Sequence, residues 1–143
     1  MFCAATNFSL HYYFIAKGKF EYYKDQEFRV YLGLCIIFSI LFFINIVSSN
    51  KYQINLLTLR HSIFTAVSIL TTTGFSTENF NDWPEMSKTL LFFLFFIGGS
   101  AGSTTGGMKI IRSILVFRYL VYEVRKLLHP KGVFNITIGE RTI

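Results

Sequence analysis

Residues 95–109 read FFIGGSAGSTTGGMK, and five of the chain's ten glycines fall between Gly98 and Gly107. They follow directly on the apolar run Leu90–Ile97, where a membrane helix is under way. Each glycine costs a helix roughly 1 kcal/mol relative to alanine, so the cluster predicts a break. Length requires one as well. A single straight helix from Glu85 to Leu128 would be ~65 Å long, about twice the ~30 Å hydrocarbon core of a bilayer.

The surrounding composition is that of a membrane protein. Among 143 residues, 52% are hydrophobic and 18% aromatic, with 17 Phe against 2 Pro. One small water-soluble core does not hide that much Phe, Ile and Leu. The net charge of +6 sits entirely at the two ends. Lys17, Lys19, Lys24 and Arg29 outnumber the acids before residue 30, and Lys109, Arg112, Arg118, Arg125, Lys126, Lys131 and Arg141 outnumber those after residue 107. The stretch 48–88 is neutral. The positive-inside rule therefore predicts both termini in the cytoplasm and the middle outside. The basic C-terminal stretch flanks apolar helix without clustered aromatic or Gly-Arg motifs, so the lipid bilayer is its expected partner and nucleic acid is not. Cys3 and Cys35 make no disulfide framework, and no basic start precedes the apolar N-terminus as in a signal peptide.

Working along the chain, residues 1–16 (MFCAATNFSLHYYFIA) are apolar but too few to span, and are expected to be the end of a preceding inner helix. Residues 17–29 are expected to be a cytoplasmic linker. Residues 30–47 carry no charge and predict an outer membrane helix. Residues 56–70 place Leu59, Ile63, Val67 and Leu70 at helical spacing. That helix would reach only ~22 Å. Because TTTGF (71–75) follows at once, it is predicted to be a re-entrant pore helix, entering as helix and leaving as extended chain. Such backbone survives at membrane depth only where it lines water or is buried in protein. Residues 76–88 are an outer loop, with Trp83-Pro84 marking the interface and a turn. A broken inner helix covers 85–128, with an intramembrane loop at 98–107. A cytoplasmic tail, 129–143, opens on His129-Pro130. The predicted fold class is an all-α membrane protein: one membrane helix, re-entrant pore helix, filter loop and broken membrane helix, a membrane–pore–membrane unit as in potassium channels.

Two motifs carry chemistry. In Thr71, Thr72, Thr73, Gly74 and Phe75, an extended chain can aim backbone carbonyls, and a Thr hydroxyl, at a dehydrated potassium ion. The preceding helix points its partially negative C-terminal end at the same place. The bland alternative is a Thr-rich helix end with Gly74 as its cap; the order of segments favours the filter. The glycine cluster admits three readings. Gly98, Gly102 and Gly106 are four apart, which fits helix packing. Gly102 to Gly107 has the gap of a phosphate loop, but Met108-Lys109-Ile110 lacks the immediate Lys and hydroxyl that such a loop needs. A broken helix lining a cavity fits best, with Gly98, Gly99, Gly102, Gly106 and Gly107 permitting the bend and Ser100, Ser103, Thr104 and Thr105 offering hydroxyls to freed backbone groups. Lys109 is open between snorkelling at the membrane face and bonding loop carbonyls. His11, His61 and His129 are too dispersed for a metal site, and no nucleophile–base pairing points to an enzyme.

SILTTTGFST (68–77), FIGGSAGSTTGGMKIIR (96–112) and LLHPKGVFNITIGER (127–141) resemble the third repeat of TrkH-type potassium uptake proteins, in the superfamily shared with Ktr and HKT transporters. NFSLHYYFIAKG…DQEFRVYL (7–32) is similar to that family's join between second and third repeats. The resemblance covers nearly the whole chain. It implies four linked repeats around a pseudo-fourfold pore, with residues 71–75 as the third filter strand. Residues 98–107 with Lys109 would then be a gating loop below the filter. It further implies potassium as the transported ion with no covalently bound cofactor, a dimer, a cytoplasmic nucleotide-binding TrkA-type regulator, and residence in the bacterial cytoplasmic (inner) membrane. Since the resemblance gives only one complete repeat, the chain is expected to be a fragment or one piece of a split gene, inactive alone. The competing class is a small structural or regulatory membrane protein that packs through its glycine-rich helix.

Overall fold

The computed structural model describes residues 1–18, 22–49, 54–128, 137–138 and 141–142. Five α-helices build the architecture among these: α1 (Phe8–Lys17), α2 (Gln26–Ser48), α3 (Leu56–Leu70), α4 (Glu85–Leu94) and α5 (Ile110–Leu128). Two short strands, β1 (Thr137–Ile138) and β2 (Arg141–Thr142), pair antiparallel and are the only described part of the expected tail 129–143. The expected break after Leu128 at His129-Pro130 lies outside the described residues.

The N-terminal stretch differs from one continuous helix end. Phe2–Ala5 form a 3-10 turn, and α1 starts afresh at Phe8, with Asn7 Oδ1 accepting the Ser9 N–H at 2.9 Å. Thr6 holds the bend by donating its hydroxyl to the Cys3 carbonyl at 2.7 Å. A capping Asn and a hydroxyl that bonds locally stop a helix that apolarity alone would extend. The expected linker 17–29 also shortens at both ends. Lys17 still belongs to α1, and α2 begins at Gln26 because Asp25 caps it, accepting the Phe28 N–H at 2.9 Å.

α2 is apolar on every side. Tyr31, Cys35, Phe42 and Ile46 share one face and are buried, while Ile36, Ile37, Ile40 and Ile44 are exposed on the other. A helix hydrophobic all round belongs inside protein or lipid, and at 23 residues α2 is long and apolar enough to cross a membrane. α3 is shorter and packs its small, hydroxyl-rich face, Thr58, Ser62, Thr65, Ala66 and Ser68, into the interior. Small residues let helix backbones approach closely, and Ser62 Oγ finds its partner within the helix, donating to the Thr58 carbonyl at 2.8 Å. Ile69, Leu70, Leu91, Leu94 and Ile110 complete the core with α2. Trp83, expected at the membrane interface, is 2% exposed, with its ring centroid 5.7 Å from that of Phe42. The outer loop is thereby pinned to the core by its largest side chain.

Phe42 is fully buried at this junction, whereas Phe93 is 60% exposed. Phe42→Ala is expected to lower stability by ~3 kcal/mol, read as the unfolding free energy in detergent micelles. Phe93→Ala is expected to change it little.

Candidate functional site

The site is built where α3 ends. Its last turn closes with two tightening bonds, Thr72 N–H to the Ile69 carbonyl at 2.9 Å and Thr73 N–H to the Ser68 carbonyl at 3.0 Å. This is the Schellman arrangement, which places the residue after the cap in the left-handed region. That residue is Thr72, at φ 53, and among the described residues it is the one non-glycine with positive φ. A β-branched residue there is strained. The alternative that made Gly74 the cap is therefore displaced by two positions. Gly74 takes φ 72 further along the exposed chain. Its Cα faces open space, so conformation rather than crowding calls for glycine.

Ser68 organises this end. Its carbonyl also accepts the hydroxyls of Thr71 at 3.2 Å and Thr73 at 3.1 Å, and its own hydroxyl donates to the Phe75 carbonyl at 2.5 Å. Thr71 is buried, while Thr72, Thr73, Gly74 and Phe75 are exposed. The sequence did not single out Ser68. Its position one turn before the Thr run is the signal that could have found it.

The second half is the loop between α4 and α5. Its ends meet in a parallel bridge between Ile97 and Met108, with Gly98 N–H donating to the Met108 carbonyl at 2.9 Å and Met108 N–H to the Phe96 carbonyl at 3.1 Å. Gly98, Gly102 and Gly106 lie in this loop and not on a helix, which removes the helix-packing reading. Inside the loop, Thr105 Oγ1 accepts the Gly99 N–H at 3.0 Å and pairs with Ser103 Oγ at 2.8 Å. Ser103 Oγ donates to the Ser100 carbonyl at 2.6 Å. Lys109 Nζ donates to the carbonyls of Ser103, at 3.3 Å, and Thr105. Of the two options for Lys109, the structure has the carbonyl-bonding one.

The loop is also held from outside. The Ala5 carbonyl accepts the Ser100 N–H at 2.9 Å, the Ala4 carbonyl accepts from Thr104 N–H at 3.3 Å and Oγ1 at 3.2 Å, and the Gly102 carbonyl accepts the Phe8 N–H at 3.2 Å. Glu27 Oε2 accepts the Ala101 N–H at 2.6 Å. Backbone carbonyls carry no sequence signal, so the role of Ala4 and Ala5 was not readable beforehand. Glu27 could have been noticed as an acid at the head of an apolar helix. Finally, Gly106 N–H donates to Thr72 Oγ1 at 2.8 Å. The two motifs singled out from sequence thus touch directly.

A family model described as TrkH, cation transport protein, matches residues 1–143. The chain is 38% identical over 139 residues to the Trk system potassium uptake protein TrkH of Vibrio parahaemolyticus, covering 95% of this chain and 29% of that relative. It is 34% identical over 141 residues to the Trk system potassium uptake protein TrkH of Escherichia coli strain K12, covering 98% and 29%. The crystal structure of the potassium transporter TrkH from Vibrio parahaemolyticus superposes with a TM-score of 0.90 at 38% identity, covering 96% of this chain and 30% of that one. The fold is accordingly that of a membrane protein with potassium-channel-like repeats, and the chain spans about 29% of the length of the curated relatives it matches.

A Cβ at Gly98 would overlap the Gly106 carbonyl, whereas one at Gly106 would meet Thr72 Oγ1 at an ordinary 3.6 Å. Gly98→Ala is therefore expected to open the loop, seen as faster proteolysis between residues 97 and 108. Gly106→Ala is expected to leave the cleavage rate near that of the parent.

Proposed function

The chain belongs to the TrkH family of cation transport proteins, and from that premise we propose that it serves potassium uptake across the bacterial cytoplasmic membrane. It supplies one selectivity-filter strand, Thr71–Phe75, and one gating loop, residues 98–107 with Lys109. The names of its relatives as potassium uptake proteins support the ion. The observation that carries the roles is the 2.8 Å hydrogen bond from Gly106 N–H to Thr72 Oγ1. It puts the loop against the strand whose carbonyls would strip a potassium ion of water, so displacing the loop changes the path directly beside those carbonyls. The C-terminal end of α3 adds partial negative charge at the same point.

One strand offers oxygens from one side only. The remaining coordination is assigned to other repeats of a Trk-type pore, with a dimer as the full assembly and a nucleotide-binding TrkA-type regulator on the cytoplasmic face. The excess of basic residues at both ends supports cytoplasmic termini.

Two outcomes test this reading. In an assembled pore containing this repeat, Gly74→Asp adds an anion and a strained φ beside the carbonyls, and is expected to cut potassium uptake and its discrimination against sodium at least tenfold in a flux assay. Unchanged uptake and discrimination would refute the filter assignment. Expressed alone in cells lacking potassium uptake, the chain is expected not to restore growth on low potassium.

A further inference from the structure

The loop's tethers are unequal in kind. Those to Ala4, Ala5 and Phe8 are bonds between neutral groups, all of them backbone except the Thr104 hydroxyl on the Ala4 carbonyl. The tether to Glu27 is a carboxylate accepting the Ala101 N–H at 2.6 Å, across 74 positions of sequence. A hydrogen bond to an ionised acceptor is roughly twice as strong as one between neutral groups. An acid in the first turn of a helix ordinarily complements the helix dipole and faces water. Glu27 is half-buried instead. The ion pair among the described residues joins Lys88 to Glu85, so Glu27 is not matched there to a basic side chain, and its partner is the loop.

The opposite half of the loop has a charged tether of the opposite sign. Lys109, immediately before α5, donates to the Ser103 and Thr105 carbonyls. Each half of the loop is thereby fixed to a different helix: Ala101 to the head of α2, Ser103 and Thr105 to the head of α5. Ile110 and Ile114 near the head of α5 pack with the core cluster to which Tyr31, Cys35, Phe42 and Ile46 of α2 also belong.

We propose that Glu27 is a positioning residue that latches the apex of the glycine loop to α2, so that the loop keeps its place only while the heads of α2 and α5 hold their present spacing. Its consequence for ion flow, though not the latch itself, rests on the reading of the loop as a gate. With the latch released, the loop keeps its backbone bonds to Ala4 and Ala5 but loses its hold on α2.

The test is amide hydrogen exchange followed by mass spectrometry on the assembled pore in nanodiscs, with potassium flux measured on the same preparations. Glu27→Ala is expected to raise exchange in peptides covering residues 98–107 by about tenfold or more. Glu27→Gln keeps the shape and a neutral acceptor, and is expected to raise it by about threefold. Peptides from residues 30–47 are expected to exchange as in the parent. Unchanged loop exchange in either variant, or a rise in Glu27→Gln that extends equally through residues 30–47, overturns the latch. A loosened loop with unaltered flux supports the latch and counts against the loop as gate, so the two readings fail separately.

Discussion

Much of this structure answers to one constraint: a helix interrupted within the protein frees backbone N–H and C=O groups that must find other partners. The break between α4 and α5 meets it by three routes. Its ends pair with each other across Ile97 and Met108. Its hydroxyls turn inward, Thr105 taking the Gly99 N–H and Ser103 the Ser100 carbonyl. Its remaining groups reach the 3-10 turn at Phe2–Ala5, Glu27 and Thr72. The interruption of helix around residues 4–8 fits this demand. Had residues 1–16 continued as regular helix, the carbonyls of Ala4 and Ala5 would have been spent within that helix. The interruption at Thr6 and Asn7 leaves them free to accept from Ser100 and Thr104.

The strained Thr72 is understandable in the same terms. Glycine would adopt φ 53 without cost, as glycines do at most Schellman positions. Glycine has no hydroxyl, however, and Thr72 Oγ1 is the acceptor for Gly106 N–H. The position needs a left-handed backbone and a side-chain oxygen together. Strain of about 1–3 kcal/mol at such a residue persists only where its surroundings over-determine it. Here they do: Ser68 accepts from Thr71 and Thr73 on either side of Thr72 and donates to Phe75 beyond it.

Much of the fold and of the site was legible in the sequence because both depend on length and composition. The apolar run in α2, the shortness of α3 and the excess length of 85–128 are arithmetic on residue counts. The glycine cluster marked the break because no other residue type tolerates so many close backbone approaches. Illegible were the features set by tertiary hydrogen bonding. The α1 cap at Asn7 and the early start of α2 at Asp25 are capping events that periodicity does not weigh. Trp83 read as an interfacial residue, and nothing in the sequence indicated that its ring packs against Phe42. Which Thr would take the left-handed position was hidden by the obvious candidate two residues later, Gly74. Glu27 stands out locally as an acid at the head of an apolar helix, but its partner Ala101 lies 74 positions away and no local pattern names it.

The distribution of burial carries the last step. Ser68, Leu70 and Thr71 are buried while Thr72 to Phe75 are not, so α3 is fixed by its own repeat and the strand it presents is not. Phe92, Phe93, Phe95 and Phe96 are likewise exposed on the side of α4 away from the core. On the proposed function these two exposed regions are complementary. The strand must be bare toward the pore axis to offer oxygens to an ion, and the aromatic flank must be bare toward lipid or a neighbouring repeat. On that reading a single repeat defines its strand and its loop largely by its own hydrogen bonds while offering an ion oxygens from one side only. The glycine loop takes bonds from three separated parts of the chain, whereas residues 71–75 bond to the end of α3 and, through Thr72, to Gly106. Residues 71–75 are thus held more locally than the loop, and on the proposed latch it is the loop whose place depends on the spacing of the helices.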